Sequence, residues 1–196
     1  MKAAERMCRG LVALAIAAAA VAPAGATTLV RQGLDELVAN NANVVVGEVL
    51  AVRSYWNEDG SFILSDVTFG VTETLKGKKH RPEITITVMG GTVGELSSLI
   101  VGGPELVEGR AYVLFLNHED LPGAKAALTV RDLCQGTFDL AVNGKGDLRA
   151  ISQADRQPLL ADRLGRTDAP GGAFGISFDA MTQAIREIAS RPEEAN

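Results

Sequence analysis

The feature that most constrains this fold is an alternation of apolar and polar side chains, which continues for about a hundred residues from Asn43 onward. Side chains of a β-strand point to opposite faces in turn, so a period of two predicts strands with one buried face. In residues 62–75 one parity holds Ile63, Val67, Phe69, Val71 and Leu75, and the other holds Asp66, Thr68, Thr72 and Thr74. The chain is therefore predicted to be mainly β.

Turn sequences divide this region into about seven strands. Asn57-Glu58-Asp59-Gly60 is typical of a turn, and it predicts that residues 43–55 and 62–75 form a long hairpin. Residues 110–117 are apolar on both faces, which indicates a central strand or a barrel wall covered by a helix. The other predicted strands are residues 84–88, 96–101, 128–133 and 137–142.

Glycines are expected where strands bend, because a bulge or kink lets a strand pass from one sheet to another. The candidates are Gly90, Gly91, Gly94, Gly102 and Gly103. Strands this apolar would leave aggregation-prone edges in an open sheet, and closure removes those edges. We therefore expect a small antiparallel barrel that is closed or nearly closed.

One helix is predicted at each end of the β-region. Residues 29–39, capped by Thr28, place an apolar stripe on one face at Val30, Leu34, Leu37 and Val38. Residues 177–191 begin with Ser177 as the cap and Asp179 in the first turn, and their stripe is Phe178, Met181, Ile185 and Ile188. We expect one domain: a barrel with its N-terminal helix in residues 27–150, a surface connection in residues 151–176, and a C-terminal helix packed on the barrel in residues 177–191.

Residues 1–26 have the three-part layout of a secretory signal peptide. Lys2, Arg6 and Arg9 form a basic start. Residues 11–22 form an apolar run too short to remain across a bilayer, and residues 24–26 (Ala-Gly-Ala) supply the small side chains of a cleavage site. We expect export to the periplasm or the medium, with Thr27 as the first mature residue.

The charge of the chain excludes some classes of partner. It carries 19 basic and 24 acidic residues, and removal of residues 1–26 takes away three basic residues and Glu5, leaving a net charge of about −7. Such a surface repels nucleic-acid phosphates and anionic lipid. No second apolar run approaches membrane length, so no stable membrane insertion is expected after cleavage.

The mature sequence contains no motif that indicates catalysis, a cofactor or a metal. Cys134 is the one cysteine after residue 26, so an internal disulfide is excluded, and a buried thiol is favoured over a reactive one. His80 and His118 have no metal-ligand spacing. A hydrolase that pairs either imidazole with Ser97 or Ser98 in space is a minor alternative.

Two groups of residues are candidates for binding a partner. The first is a basic cluster, and opposite charge would steer an acidic partner to it, with a solvated loop as the alternative. Its members are Lys76, Lys78, Lys79 and Arg81, with His80 among them. The second is Tyr55-Trp56, which suits an interface anchor or packing at the end of a barrel.

Several segments between residues 29 and 142 resemble a group of uncharacterised exported bacterial proteins. They are residues 43–49 (NVVVGEV), 67–77 (VTFGVTETLKG), 90–94 (GGTVG), 109–116 (GRAYVLFL) and 135–138 (QGTF). The strand followed by Leu75-Lys76-Gly77 is also similar to the OB-fold of tissue metalloproteinase inhibitors and netrin-like modules. This resemblance implies an OB-like five-stranded barrel and a binding role. Those inhibitors use an N-terminal Cys, and Thr27-Thr28 stands here, so no inhibitory residue carries over.

These observations predict an exported, non-catalytic binding module with a protein partner, and the resemblance implies that this partner is an extracellular enzyme. A binder of small molecules or glycans in the mouth of a barrel is the first alternative. A structural envelope protein is the second.

Overall fold

A computed structural model describes residues 30–156 and 175–191. Within these ranges the helices are α1 (Leu34–Asn40) and α2 (Phe178–Ala189), and short 3₁₀ turns span Leu133–Gly136 and Gln153–Arg156. The strands are β1 (Asn43–Trp56), β2 (Ile63–Lys76), β3 (Glu83–Met89), β4 (Gly91–Val93), β5 (Leu96–Ser98), β6 (Ala111–Leu121), β7 (Ala124–Val130), β8 (Thr137–Val142), β9 (Leu148–Ser152) and β10 (Ile176–Ser177).

The described strands form a large antiparallel sheet and a separate small hairpin. The sheet has the order β10-β9-β8-β6-β1-β2-β3, and β7 pairs with the far half of β6. β4 and β5 pair only with each other. The prediction of a mainly β, antiparallel fold is confirmed, and so is the long hairpin of β1 and β2, in which Trp56 faces Ile63.

β6 lies at the centre of this sheet and is buried on both faces, as its sequence predicts. Its side chains alternate between two apolar cores. Val113 and Phe115 face the helices, where they pack with Leu37, Met181 and Ile185. The core on the opposite face contains Tyr112, Leu114, Leu116, Val45, Val49, Phe69, Ile86 and Val130.

The closed barrel is the part of the prediction that the sheet does not match. β3 and β7 lie close to each other, and both contribute side chains to the core opposite the helices. In the described residues no ladder of hydrogen bonds joins these two strands, so the sheet is open there. Side chains rather than backbone pairing join β3, at one end of the sheet, to β7.

The glycines predicted at bends mark where the chain leaves the main sheet. β3 ends at Met89, and Gly90 and Gly91 adopt positive φ values of 95° and 132° before the β4–β5 hairpin begins. Gly94 provides the turn of that hairpin with a φ of 61°. These backbone conformations favour glycine because they bring a Cβ into conflict with the neighbouring carbonyl.

The ends of the described chain differ in detail from the prediction. α1 begins at Leu34, five residues later than expected, and Thr28 lies outside the described residues. Ser177 is the N-cap of α2 but its hydroxyl caps no backbone N–H. The predicted surface connection starts within β9, and Gln153 and Ala154 after it are buried. Residues 157–174 and the predicted signal peptide fall outside the described ranges.

Candidate functional site

A groove of about 610 Å³ opens at one end of the main sheet. One wall is formed by β1, β2 and β3 near their ends, through Val52, Val67 and Val88. The other wall is the segment 98–107, which begins at the last residue of β5 and returns the chain to β6. We call this segment the rim loop.

The floor of the groove is polar and tightly packed. The Ser54 and Ser65 hydroxyls lie 2.8 Å apart, and Ser65 Oγ donates to the Gly90 carbonyl at 2.7 Å. The Thr92 N–H donates to Ser54 Oγ at 3.3 Å. A Cβ on Gly91 would lie 2.3 Å from Ser65 Oγ, so only glycine lets the chain pass over this serine pair.

The rim loop exposes large apolar side chains to solvent. Leu99 is 88% exposed and Val101 is 83% exposed. Leu96 on β5 and Val107 at the other end of the loop are also exposed. Apolar side chains scattered singly are ordinary on a protein surface, but several exposed on one loop beside a groove are a feature of interaction sites.

The backbone of the rim loop is fixed to the sheet at three points. The Cys134 N–H donates to the Gly102 carbonyl at 2.8 Å. The Gln153 side chain accepts from the Glu105 N–H and donates to the Glu105 carbonyl, both at 2.8 Å. The Val107 N–H donates to the Tyr112 hydroxyl at 3.0 Å. These bonds fix the backbone from Gly102 to Val107, directly after Leu99 and Val101 in the chain.

The residues that hold the rim loop are themselves buried and well supported. Gln153 is buried, and its amide also donates to Asp139 Oδ1 at 3.1 Å. Arg156 bridges Glu105 and Asp139 on the outside, with nitrogen–oxygen distances of 3.1 and 2.6 Å. Burial raises the pKa of Tyr112, because the charged phenolate loses hydration in the core. Its hydroxyl therefore stays protonated through the physiological range.

The structure places Tyr55 and Trp56 near this groove in different ways. Tyr55 donates its hydroxyl proton to Asp66 Oδ1 at 3.1 Å, so it is part of the sheet surface. Its pKa is raised by partial burial and by the neighbouring Asp66 carboxylate. Trp56 is 41% exposed and lies two residues after Ser54, on the same face of β1. Trp56 is therefore an exposed aromatic side chain beyond the serine pair and outside the lining of the groove.

The basic cluster lies at the opposite end of the β1–β2 hairpin. Lys76 faces Val44, whereas Trp56 faces Ile63, and an extended strand from residue 44 to residue 56 spans about 40 Å. Lys76 Nζ donates to the Val38 carbonyl of α1, so this side chain ties the helix to the sheet. The two groups of candidates therefore do not form one site.

The residues considered for catalysis are separated from each other. His80 Nε2 hydrogen-bonds to Asn43 Oδ1 at 3.1 Å, and His118 Nδ1 to the Ala126 carbonyl at 3.0 Å. Ser97 shares a hydrogen bond with Thr92 at 2.8 Å. Cys134 is buried, and burial raises the pKa of its thiol. Over the described ranges, no group of three His, Cys, Asp or Glu residues is arranged to hold a metal ion.

The rim loop is the part of this site that the sequence analysis missed. Residues 99–101 (Leu-Ile-Val) lie wholly within the predicted strand 96–101, since a short apolar run is typical of a buried strand. The glycines and proline that follow, at 102–104, are the signal that this run belongs to a loop.

Comparisons with protein-family models, with curated proteins and with solved structures found no match to this chain. Among the described residues, no helix has the length and apolar character needed to cross a membrane.

Proposed function

We propose that this chain is an exported, non-catalytic binding module that holds a protein partner at the groove and its rim loop. The observation that carries the proposal is the exposure of Leu99 and Val101 on a loop whose backbone is hydrogen-bonded in place. Burial of each such side chain contributes about 1.5–3 kcal/mol. A fixed loop also loses little conformational entropy when a partner binds.

The site favours a partner segment with apolar side chains. Val52, Val67 and Val88 line the inner wall, and Leu99 and Val101 project from the outer edge. Three acidic residues in and beside this part of the chain are exposed: Glu95, Glu108, and Glu105, which pairs with Arg156. A partner that presents an apolar segment flanked by basic residues complements both features.

The wider context of the proposal comes from the sequence. The layout of residues 1–26 supports export, and cleavage there would give a chain that begins at Thr27. The order β3-β2-β1-β6-β7 around one apolar core supports an OB-like arrangement within the larger sheet. An extracellular enzyme is the class of partner that the resemblance to inhibitor modules implies.

Site-specific crosslinking tests this function. A photoreactive amino acid replaces Leu99 in the exported protein, the native cells are illuminated, and adducts are identified by mass spectrometry. We expect one stoichiometric protein adduct that is lost when Val101→Asp is added. Val142→Asp is the matched control, because Val142 is 66% exposed on β8, outside the groove lining. The proposal is refuted if only the free monomer is recovered, or if the yield of the adduct is unchanged by Val101→Asp.

A small apolar ligand is the second candidate, because about 610 Å³ falls within the usual volume of ligand sites. Titration with an apolar fluorescent probe distinguishes the two functions. A small-molecule site binds the probe in the isolated protein and releases it in the Val52→Asp variant, whose side chain lines the groove and is only partly buried. A protein-docking surface gives weak, unsaturable binding of the probe.

A further inference from the structure

A second surface lies at the opposite end of the β1–β2 hairpin and stands independently of the groove described above. β3 pairs with β2 only as far as Gly70, and the Val71 N–H then donates to the Pro82 carbonyl at 2.7 Å. From Thr72 to Lys76, β2 pairs with β1 on one side, and no described strand pairs with its other side. A groove of about 500 Å³ separates this edge from residues 77–82, which we call the basic loop.

The basic loop is held in place at both ends. Gly77 lies against the segment before β1, and a Cβ there would be 2.5 Å from Asn43 Oδ1 and 2.7 Å from the Ala42 carbonyl. His80 hydrogen-bonds to Asn43. Pro82 is fixed by the bond from Val71. The side chains between these points are therefore presented from a constrained backbone.

Three cations of the basic loop have no anionic partner in the described part of the chain. Lys78, Lys79 and Arg81 are exposed and form no ion pair or hydrogen bond there. Glu73 lines the same groove, but its carboxylate is bound by Arg186 of α2. Glu83 is the one acidic residue adjoining the loop in sequence. A local positive charge thus persists on a chain that is acidic as a whole.

The shape and charge of the β2 edge determine which extended segments can pair with it. The register of β1 and β2 shifts between Val46 and Gly47 and again between Val44 and Val45, so β2 is bulged along its open edge. Bulges and lysines at a strand edge keep apolar strands from pairing with it. They do not exclude an acidic segment, which the loop cations attract instead.

From this arrangement we infer that the groove between the open edge of β2 and the basic loop is a docking site for an extended acidic peptide segment. Its carboxylates contact Lys79 and Arg81 at the groove wall, with Lys78 beside them. Val71 and Pro82 supply a short apolar contact for the segment's backbone and small side chains.

Fluorescence anisotropy with defined peptides tests this inference. The probe is a labelled peptide of repeating Glu-Thr pairs, and the comparison peptide replaces every Glu with Gln. We expect the Glu peptide to bind in low salt and weaken as salt is added, and the Gln peptide to bind at least about tenfold more weakly. The Lys79→Glu/Arg81→Glu variant should lose at least about tenfold in affinity, whereas Lys145→Glu, an exposed lysine in the β8–β9 turn, should change it by less than about twofold.

Several outcomes overturn the inference. They are the absence of binding, equal binding of the two peptides, and equal losses in the two charge variants, provided that circular dichroism shows both variants folded. Tighter competition by dextran sulfate than by the peptide assigns the surface to acidic polysaccharides. If the Glu peptide binds only to the Glu193→Gln/Glu194→Gln variant, the groove is assigned to the chain's own Glu193 and Glu194, which would otherwise exclude the peptide.

Discussion

Replacing Gly91 with Ala should destabilise the protein severely, because two independent costs meet at this position. The backbone φ of 132° is one that an L side chain rarely adopts, which costs about 1–3 kcal/mol. The new Cβ would also lie 2.3 Å from Ser65 Oγ and 2.4 Å from Ser54 Oγ, so the hydroxyls must separate. Disruption of this part-buried hydrogen-bonded pair adds about 1–3 kcal/mol. We expect a total loss of about 2–6 kcal/mol.

Gly94→Ala is the matched control, since it carries only one of these costs. Gly94 has a φ of 61°, and a Cβ there would meet no atom within 4 Å. The left-handed conformation alone costs about 1–2 kcal/mol. The difference between the two variants therefore measures the clash with the serine pair.

Urea unfolding followed by circular dichroism and by the fluorescence of Trp56, the single tryptophan, gives both free energies. Adding Ser54→Ala to Gly91→Ala removes one of the two clashing hydroxyls and should recover about 1 kcal/mol relative to additive losses. If Gly91→Ala and Gly94→Ala unfold at the same urea concentration, the argument from the serine pair is wrong.

Three further predictions concern the residues that hold the rim loop. Tyr112→Phe leaves the Val107 N–H without its acceptor, so we expect the free energy of unfolding to fall by about 1 kcal/mol. Hydrogen exchange in residues 99–107 should become faster, which mass spectrometry would detect. Unchanged exchange would contradict this. Gln153→Glu replaces the amide that donates to the Glu105 carbonyl and to Asp139 with a carboxyl group. Because both of these neighbours are acceptors, the folded state raises the pKa of the introduced carboxyl group. Its destabilisation should therefore grow as pH rises through the carboxyl range, whereas Gln153→Ala should show no such dependence in the same thermal melts. Burial raises the pKa of the Cys134 thiol, so this thiol should react with a disulfide reagent only on unfolding. Because the thiol ionises more readily in the unfolded chain, it should also lower the free energy of unfolding as pH rises above about 8.5. Cys134→Ala should remove this pH dependence.

The sequence predicts the long strands well, because their period of two extends over many residues. β1, β2 and β8 fall within about one residue of their expected bounds. β4 and β9 are absent from the prediction, since three residues beginning with Gly91 and a short segment after a turn carry too little alternation. The need to protect strand edges predicts closure, but β3 and β7 meet only through side chains, and the sheet keeps unpaired edges such as that of β2 beyond Gly70.

The candidate sites show a different limit of sequence reasoning. The basic loop can be predicted because a cluster of basic residues in an acidic chain is visible in the sequence. That this loop and Trp56 lie at opposite ends of the β1–β2 hairpin follows only from the register of these two strands. The exposure of Leu99 and Val101 could not be predicted, because an apolar run has the same composition in a core and on a surface. The bonds that fix the following residues come from Gln153 and Tyr112, and the composition of residues 99–101 gives no sign of them.

The alternation of β6 between two cores has a consequence for how the molecule melts. Val113 and Phe115 anchor the helical side, while Tyr112, Leu114 and Leu116 anchor the other, on one continuous backbone segment. Loss of packing in either core uncovers one apolar face of this shared strand, so thermal denaturation should follow a single cooperative transition rather than two separate steps. A substitution at either surface of β6 would then lower the melting temperature of the whole domain.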